Sequence, residues 1–401
     1  MNKEHYFDWA ATAPVDEEII REALETSFKC WANPSSIHQG GKEAKDILEK
    51  ARTSVATSLG VKSENIFFTS GGTESDHIPL LATLNKPEKG SVLISSIEHP
   101  ALREQAMALK KCGFKVNTIP VNKDGIITPE EVVKCLTDDT LFVTVMAVNN
   151  ETGAIQPIYK IADAITEFYK GKRRPKFHVD CVQALGKIPI DISYKGIDSA
   201  AFSAHKICGP RGIGVLYLAT KAQMFEGFLR GGGQESNVRS GTENLFGITA
   251  ISKCIEKYRI SPNNGMNERQ ALQEEWALEF IKKLSTIKCC TILPHIRLDQ
   301  ISNTELSSDD KIPFSPWIVQ ASFKNIPGQV MVRALDAKGF CISTGSACSA
   351  KKQSRPILEA MHVSQGEMES AVRFSFGSST SKNAMDELFE AISEVCKTFE
   401  R

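Results

Sequence analysis

From about residue 16 to 260 the chain alternates short apolar runs with helix-period segments, and each apolar run gives way to Gly, Ser, Asn or Asp. That order is the signature of repeated βα units. NIFFT (65–69) leads into SGGTES, SVLIS (91–95) into IEHP, TLFVTVMAV (140–148) into NNETG, and KFHVD (176–180) into CVQAL. Unbroken apolar runs bounded by polar turns suit strands buried on both faces of a mostly parallel sheet. Ligands of such sheets bind beyond the carboxyl ends of the strands, so the polar residues directly after each run are the first candidates for chemistry.

The pattern changes past about residue 260. A long polar helix is followed by ISNTELSSDDKIPFSP (301–316), whose Ser, Asp and Pro content marks a surface connection. WIVQASF (317–323), a helix from about Gly328 to Lys338 closed by Gly339, FCIST (340–344) and AVRFSF (371–376) then predict a smaller α+β unit. The expected organisation is a large domain over 16–260 and a small domain formed by 1–15 with 261–401.

Charge and cysteine usage exclude several classes. Lys plus Arg and Asp plus Glu both number 48, so no basic excess draws the chain to nucleic acid. The apolar run Leu141–Val148 is too short to span a bilayer, and the polar start MNKEHYFDW lacks a signal peptide's apolar segment, so the expected location is the cytoplasm. The 11 cysteines are scattered without a Cys-x-x-Cys pair, which fits neither a disulfide framework nor a metal site.

SAHKICGPRGIG places Ser203, His205 and Lys206 after the apolar run DSAAF. Alone, Lys206 reads as a surface lysine; but Asp180 ends a strand 26 residues upstream, with Gln183 three positions further on. A buried carboxylate facing a lysine-linked pyridoxal phosphate keeps the ring nitrogen protonated, so that the ring withdraws electrons from a substrate carbanion. SGGTES (70–75) offers Gly72 for close backbone approach and Thr73 near a helix N-terminus, where free N–H groups favour phosphate. A plain tight turn with Thr73 as the helix cap remains the alternative. His99 reads either as a core or capping histidine or as a ring that stacks on a flat cofactor.

YFDWAATAPV, NPSSIH, FFTSGGTES, EHPA, VNNETG, HVDCVQALGKIPID, SAHKICGPRGIG, GGGQE, RSGTEN, STGSACS and VRFSFG, in this order, resemble the cysteine desulfurases of the NifS/IscS type, fold-type-I pyridoxal-phosphate enzymes of the class-V aminotransferase family. The resemblance spans nearly the whole chain. It implies an α/β large domain with a mostly parallel seven-stranded sheet flanked by helices, plus the small α+β domain. It also implies pyridoxal 5′-phosphate joined to Lys206, with Asp180 on the ring nitrogen, Gln183 on the ring oxygen and His99 stacked on the ring. Gly72, Thr73, Ser203 and His205 would hold the phosphate, with Thr242 reaching in from the second subunit of a homodimer. Asn150 would lie near ring and substrate, while Arg373, helped by Asn33, would bind the substrate carboxylate. For Arg373 a surface salt bridge is the alternative. After VRFSFG this chain has Ser378 where the family often has an arginine.

Cys348, in CISTGSACSAKKQSRPIL, is the diagnostic residue. Small polar residues precede it, and Lys351, Lys352 and Arg355 follow, so an exposed thiol there is expected to be partly thiolate, the nucleophilic form. The resemblance implies a long loop over about 343–356 on which Cys348 takes sulfur from L-cysteine as a persulfide, with L-alanine released. The acceptor would be a protein, an iron–sulfur scaffold or a thiolation enzyme. Selenocysteine lyases share GGGQE and RSGTEN; another pyridoxal-phosphate aminotransferase or lyase would share Lys206 and Asp180; and a non-catalytic assembly partner needs none of these.

Overall fold

Ten strands organise the chain: β1 (Ile66–Thr69), β2 (Ser91–Ser95), β3 (Lys115–Ile119), β4 (Thr140–Thr144), β5 (Lys176–Asp180), β6 (Ser199–Ser203), β7 (Gly214–Leu218), β8 (Cys290–Leu293), β9 (Ile318–Phe323) and β10 (Ala371–Ser375). They belong to a computed structural model that describes residues 2–219, 227–260, 268–302, 313–345 and 354–399.

The first seven strands form one sheet in the order β1-β7-β6-β5-β4-β2-β3. Only β7 runs against its neighbours, β1 and β6; the other pairs are parallel. β1, β2, β6 and β7 are buried at every residue, as strands sandwiched between helices must be. The mostly parallel seven-stranded α/β sheet implied by the resemblance is therefore present. The edge strand β3, KVNTI, is mostly exposed or half-buried and carries no apolar run to announce it.

Two expected strands are shorter or absent. TLFVTVMAV pairs as a strand only over Thr140–Thr144; the rest stays buried but turns, with Val148 bridging Ile155. FCIST is not a strand. Phe340 and Ile342 are buried like strand residues, yet the segment makes only single bridges, Cys341 to Tyr6 and Ser343 to Arg373.

β10, β9 and β8 form an antiparallel sheet. Its core gathers Phe7 from the N-terminus with Phe280, Trp317, Phe323, Phe374 and Phe376, and Phe280 meets Phe374 and Phe376 edge-on at 5.5 and 5.7 Å. The helix Gly328–Asp336 lies beside this sheet, and Gly339, at φ 89°, follows it. The indole Nε1 of Trp317 donates to the carbonyl of Lys187 at 2.9 Å, joining this core to the turn after β5.

Candidate active site

The carboxyl ends of β1, β2, β4, β5 and β6 converge on a cavity of about 280 Å³. Its walls include Gly72, Thr73, His99, Asn150, Asp180, Gln183, Ser203, His205, Lys206 and Arg373. Nine of these ten, spread over the 134 positions from Gly72 to Lys206, meet because each follows, or ends, a strand of one sheet. Arg373 comes instead from β10.

One wall is the start of the helix Gly72–Leu81. Its N-cap is Gly71, at φ 152°, and no side chain caps it. Thr73 is therefore inside the helix, and the tight-turn alternative with Thr73 as cap does not hold. A Cβ on Gly214 would stand 2.7 Å from Cα of Gly71, so only glycine lets β7 start this close to the turn. The exposed N–H groups, with the nearby hydroxyls of Thr73 and Ser203 and the ring of His205, make a cradle for an anion.

The opposite kind of charge is prepared at Asp180. Its carboxyl is buried, accepts from the N–H of Val182 at 2.9 Å, and is pushed up to about 7 by burial and by Asp76. Asp76 itself is buried against His178, whose Nε2 lies 3.1 Å from it, while Nδ1 of His178 lies 2.8 Å from the Ser199 hydroxyl. Glu98 is buried near by, accepting from Ser95 and from the N–H of Met146, and its carboxyl is also raised by burial and Asp180. A buried group of acids favours a cation close to Asp180.

Lys206 donates from Nζ to the carbonyl oxygens of Ala10 and Ala11, each at 2.7 Å. His99 is at once a cap and a pocket wall: Nδ1 accepts from the N–H of Ala101 at 3.2 Å at the start of the helix Pro100–Lys111. Burial and the charges of Lys206 and Arg103 pull its imidazole down to about 4, so the ring is neutral with its proton on Nε2. His205 is pulled to about 4 by burial and Lys206, and its Nδ1 faces the Thr12 hydroxyl at 3.2 Å.

Arg373 is only 1% exposed, which removes the surface-bridge alternative. Its guanidinium donates to the carbonyl of Asn150 at 2.8 Å and to Asp8 at 2.7 Å. Nε of Arg373 and Oδ1 of Asn150 are buried without a partner among the described residues. Orphaned polar atoms on one pocket wall are the mark of a site built for a polar ligand.

Asn33 and Thr242 are exposed and stand outside this cavity, and Cys348 lies outside the described residues. Sequence reasoning did not single out Ala10, Ala11 or Lys187, and it gave Asp76 only as the residue completing a capping box with Thr73, whereas Asp76 meets His178 instead. For Ala10 and Ala11 only the carbonyls matter, and those leave no trace in the sequence. Asp76 had a further signal: His178 and Asp180 are polar residues two apart inside a buried strand, so a buried partner was required, and His178 finds it in Asp76.

A family comparison matches residues 5–388 to the model "Aminotransferase class-V". The chain belongs to the class-V aminotransferase family. It is 36% identical over 400 residues to the NifS/IcsS protein homolog of Lactobacillus delbrueckii, covering 99% of this chain and 98% of that protein. It is 32% identical over 399 residues to the cysteine desulfurase IscS of Dictyoglomus turgidum, covering 98% and 95%. A solved NifS-like protein superposes with a TM-score of 0.85 at 31% identity over 98% of this chain and all of that one. A solved structure titled SspA in complex with cysteine gives 0.76 at 27% identity, covering 93% of this chain and 98% of that one. Enzymes of this class-V family depend on pyridoxal phosphate.

The cavity suits that cofactor. An uncapped helix end with two hydroxyls suits its phosphate, a carboxylate poised for a cation suits its ring nitrogen, and Lys206 supplies an amine inside the same walls.

Proposed function

We propose that this protein is a pyridoxal-phosphate-dependent cysteine desulfurase that converts L-cysteine to L-alanine and carries the sulfur on Cys348. The observation that supports it most is the clustering of Lys206, Asp180, His99 and Arg373 around one cavity, in a chain whose relatives include proteins named cysteine desulfurase.

When bound, the cofactor supplies an electron sink that stabilises negative charge at the substrate α-carbon. Gly72, Thr73, Ser203 and His205 hold its phosphate; Asp180 pairs with the ring nitrogen, Gln183 meets the ring oxygen, and His99 covers one ring face. Arg373, steadied by Asp8 and by the carbonyl of Asn150, receives the substrate carboxylate through its free Nε–H, with Asn33 assigned a helping role. The Nζ of Lys206 takes the α-proton and later returns one, since it sits on two carbonyls that hold it in place between transfers.

Cys348 supplies the sulfur acceptor. Its thiolate pair forms the new S–S bond to the substrate sulfur, the C–S bond breaks, and that pair, protonated, leaves as the methyl group of alanine. Ser343, five residues before Cys348, exchanges backbone hydrogen bonds with Arg373 at 3.2 and 2.6 Å. Gly345 stands only three positions before Cys348, so the chain spans at most about 10 Å between them. The division of 16–260 from 1–15 with 261–401 belongs to this reading, as do a homodimer in which Thr242 of the second copy completes the phosphate site, a protein sulfur acceptor and a cytoplasmic location. Among the described residues no helix is long and apolar enough to cross a membrane.

The test is alanine release from L-cysteine by purified protein and by Cys348→Ala, with L-selenocysteine in parallel. Release from cysteine that disappears in the variant supports the reading. Turnover of selenocysteine alone moves the activity to a lyase, and alanine from neither amino acid overturns it.

A further inference from the structure

Lys187 follows the turn after β5 and is 7% exposed. Its Nζ donates to Oε1 of Gln183, and among the described residues it forms no ion pair. Burial, followed by the charges of Lys206 and Arg373, pulls its ammonium down to about 7. A buried cation facing two others without a counter-ion costs folding free energy, and such positions concentrate at functional sites.

Gln183 lines the cavity and, among the described residues, is the one side chain to which Lys187 Nζ donates a hydrogen bond. Its Nε2 donates to the carbonyl of Ala10 at 2.9 Å, the same oxygen that accepts from Lys206. A carboxamide has two nearly isosteric orientations, and its partners decide between them. Here both partners agree. In its charged form Lys187 only donates, so it demands the amide oxygen; a carbonyl only accepts, so Ala10 demands the amide nitrogen at any pH. The flipped carboxamide would set donor against donor at Lys187 and acceptor against acceptor at Ala10. Nε2 has a second hydrogen, for which no acceptor exists among the described residues.

We propose that Lys187 is a positioning residue of the active site, one that pins the Gln183 carboxamide so that this side chain enters the cofactor pocket only as a hydrogen-bond donor. The assignment rests on the cavity being the pyridoxal-phosphate site. It gives Gln183 a fixed polarity suited to an oxyanion of the cofactor and unsuited to a hydroxyl donor. Lys187 acts without touching the cofactor itself, because the carboxamide stands between them.

The test uses the visible spectrum of the cofactor-loaded protein titrated with pH, for wild type, Lys187→Met, Gln183→Leu and the double variant. A donor and a nearby cation both favour the less protonated form of the lysine-bound cofactor. Lys187→Met is therefore expected to raise the titration midpoint by about half a unit or more, a threefold or greater change in proton affinity. If Lys187 works through Gln183, the double variant matches Gln183→Leu alone; if it acts only as a distant charge, the two shifts add. An unchanged midpoint in Lys187→Met, or simple additivity, overturns the proposal. Lys187→Gln, which keeps a polar side chain of shorter reach, carries the same comparison should the methionine variant fold poorly. A wild-type protein that shows no visible cofactor band would instead overturn the assignment of the cavity, and the proposal with it.

Discussion

The Nζ of Lys206 and the carbonyl oxygen of Ala10 are 2.7 Å apart, although 196 residues separate them in the chain. The N-terminal segment thus forms part of the wall that holds the catalytic amine, with Ala11 providing the second acceptor at the same distance. Lys206→Arg keeps a cation able to bond both carbonyls but removes the amine that joins the cofactor. That variant is expected to fold, to show no visible band of lysine-bound cofactor, and to lose activity by about a thousandfold, the range for removing a proton-transfer group. Absorbance and alanine release measure both. A retained band with normal turnover would show that another amine carries the cofactor.

Asp180 makes stability depend on pH in a direction opposite to most carboxylates. Its folded carboxyl is held at about 7, against roughly 3.9 in an unfolded chain. Between those values the folded apoprotein keeps a proton that the unfolded chain has released, so this group's contribution to stability falls as pH rises from about 4 to about 7. His99, His178 and His205, each pulled down to about 4, act the other way between about 4 and 6.5. Comparing apoprotein with Asp180→Asn largely cancels the histidine contributions. The expected result is a wild type that loses melting temperature relative to the variant as pH rises through this window and levels off above it. A difference that stays constant, or that favours wild type with rising pH, contradicts the raised carboxyl.

How much of this could be read in the sequence depended on whether a residue's role left a mark on composition. β1, β2 and β4 were legible because a strand buried on both faces carries a nearly continuous apolar run, and the chemistry follows each run by a few positions. β3 was missed because an edge strand with exposed Lys115, Asn117 and Thr118 needs no such run. FCIST was misread for the reverse reason. Its alternating Phe340 and Ile342 are buried like strand residues, but its bridges to other segments are single ones, at Cys341 and Ser343, and the N–H of Phe340 turns back to Leu335. The pocket lining was legible through motifs, but Ala10 and Ala11 act through the backbone and Lys187 through another side chain. Thr242 and Asn33 are exposed and stand outside the cavity of the single chain, so their assigned roles rest on the resemblance alone.

Asp8 accepts from the Arg373 guanidinium at 2.7 Å and is itself partly exposed, with its side chain 23% accessible. It orients the arginine without lining the cavity. Asp8→Asn keeps an acceptor but removes the charge that holds the guanidinium, so substrate binding should weaken more than catalysis. KM for L-cysteine is expected to rise about tenfold with kcat within about a factor of two, and the cofactor band should not move. A fall in kcat at unchanged KM would place Asp8 in the chemistry instead. A shifted band would show that Asp8 reaches the cofactor.

An ion pair away from the cavity joins Arg52, on the helix Gln39–Leu59, to Glu235 in the GGGQE segment. It is bidentate, at 2.7 and 2.8 Å, and nearly buried. Arg52 also donates to the carbonyl of Ile66 at 2.8 Å, and Glu235 accepts from the N–H of Phe68 at 2.8 Å, so the pair holds two backbone groups along one edge of β1. β1 leads directly to the turn at Gly71 that opens the anion cradle. Removing one member leaves the other charge buried alone, which costs about 3–5 kcal/mol. Glu235→Ala is therefore expected to lower the denaturation midpoint sharply, while Glu235→Gln, which keeps an acceptor for Phe68, should lose less. Because β1 positions the cradle, cofactor affinity should fall along with stability in the alanine variant. Equal stability of wild type and Glu235→Ala in urea unfolding would show that the clamp is dispensable.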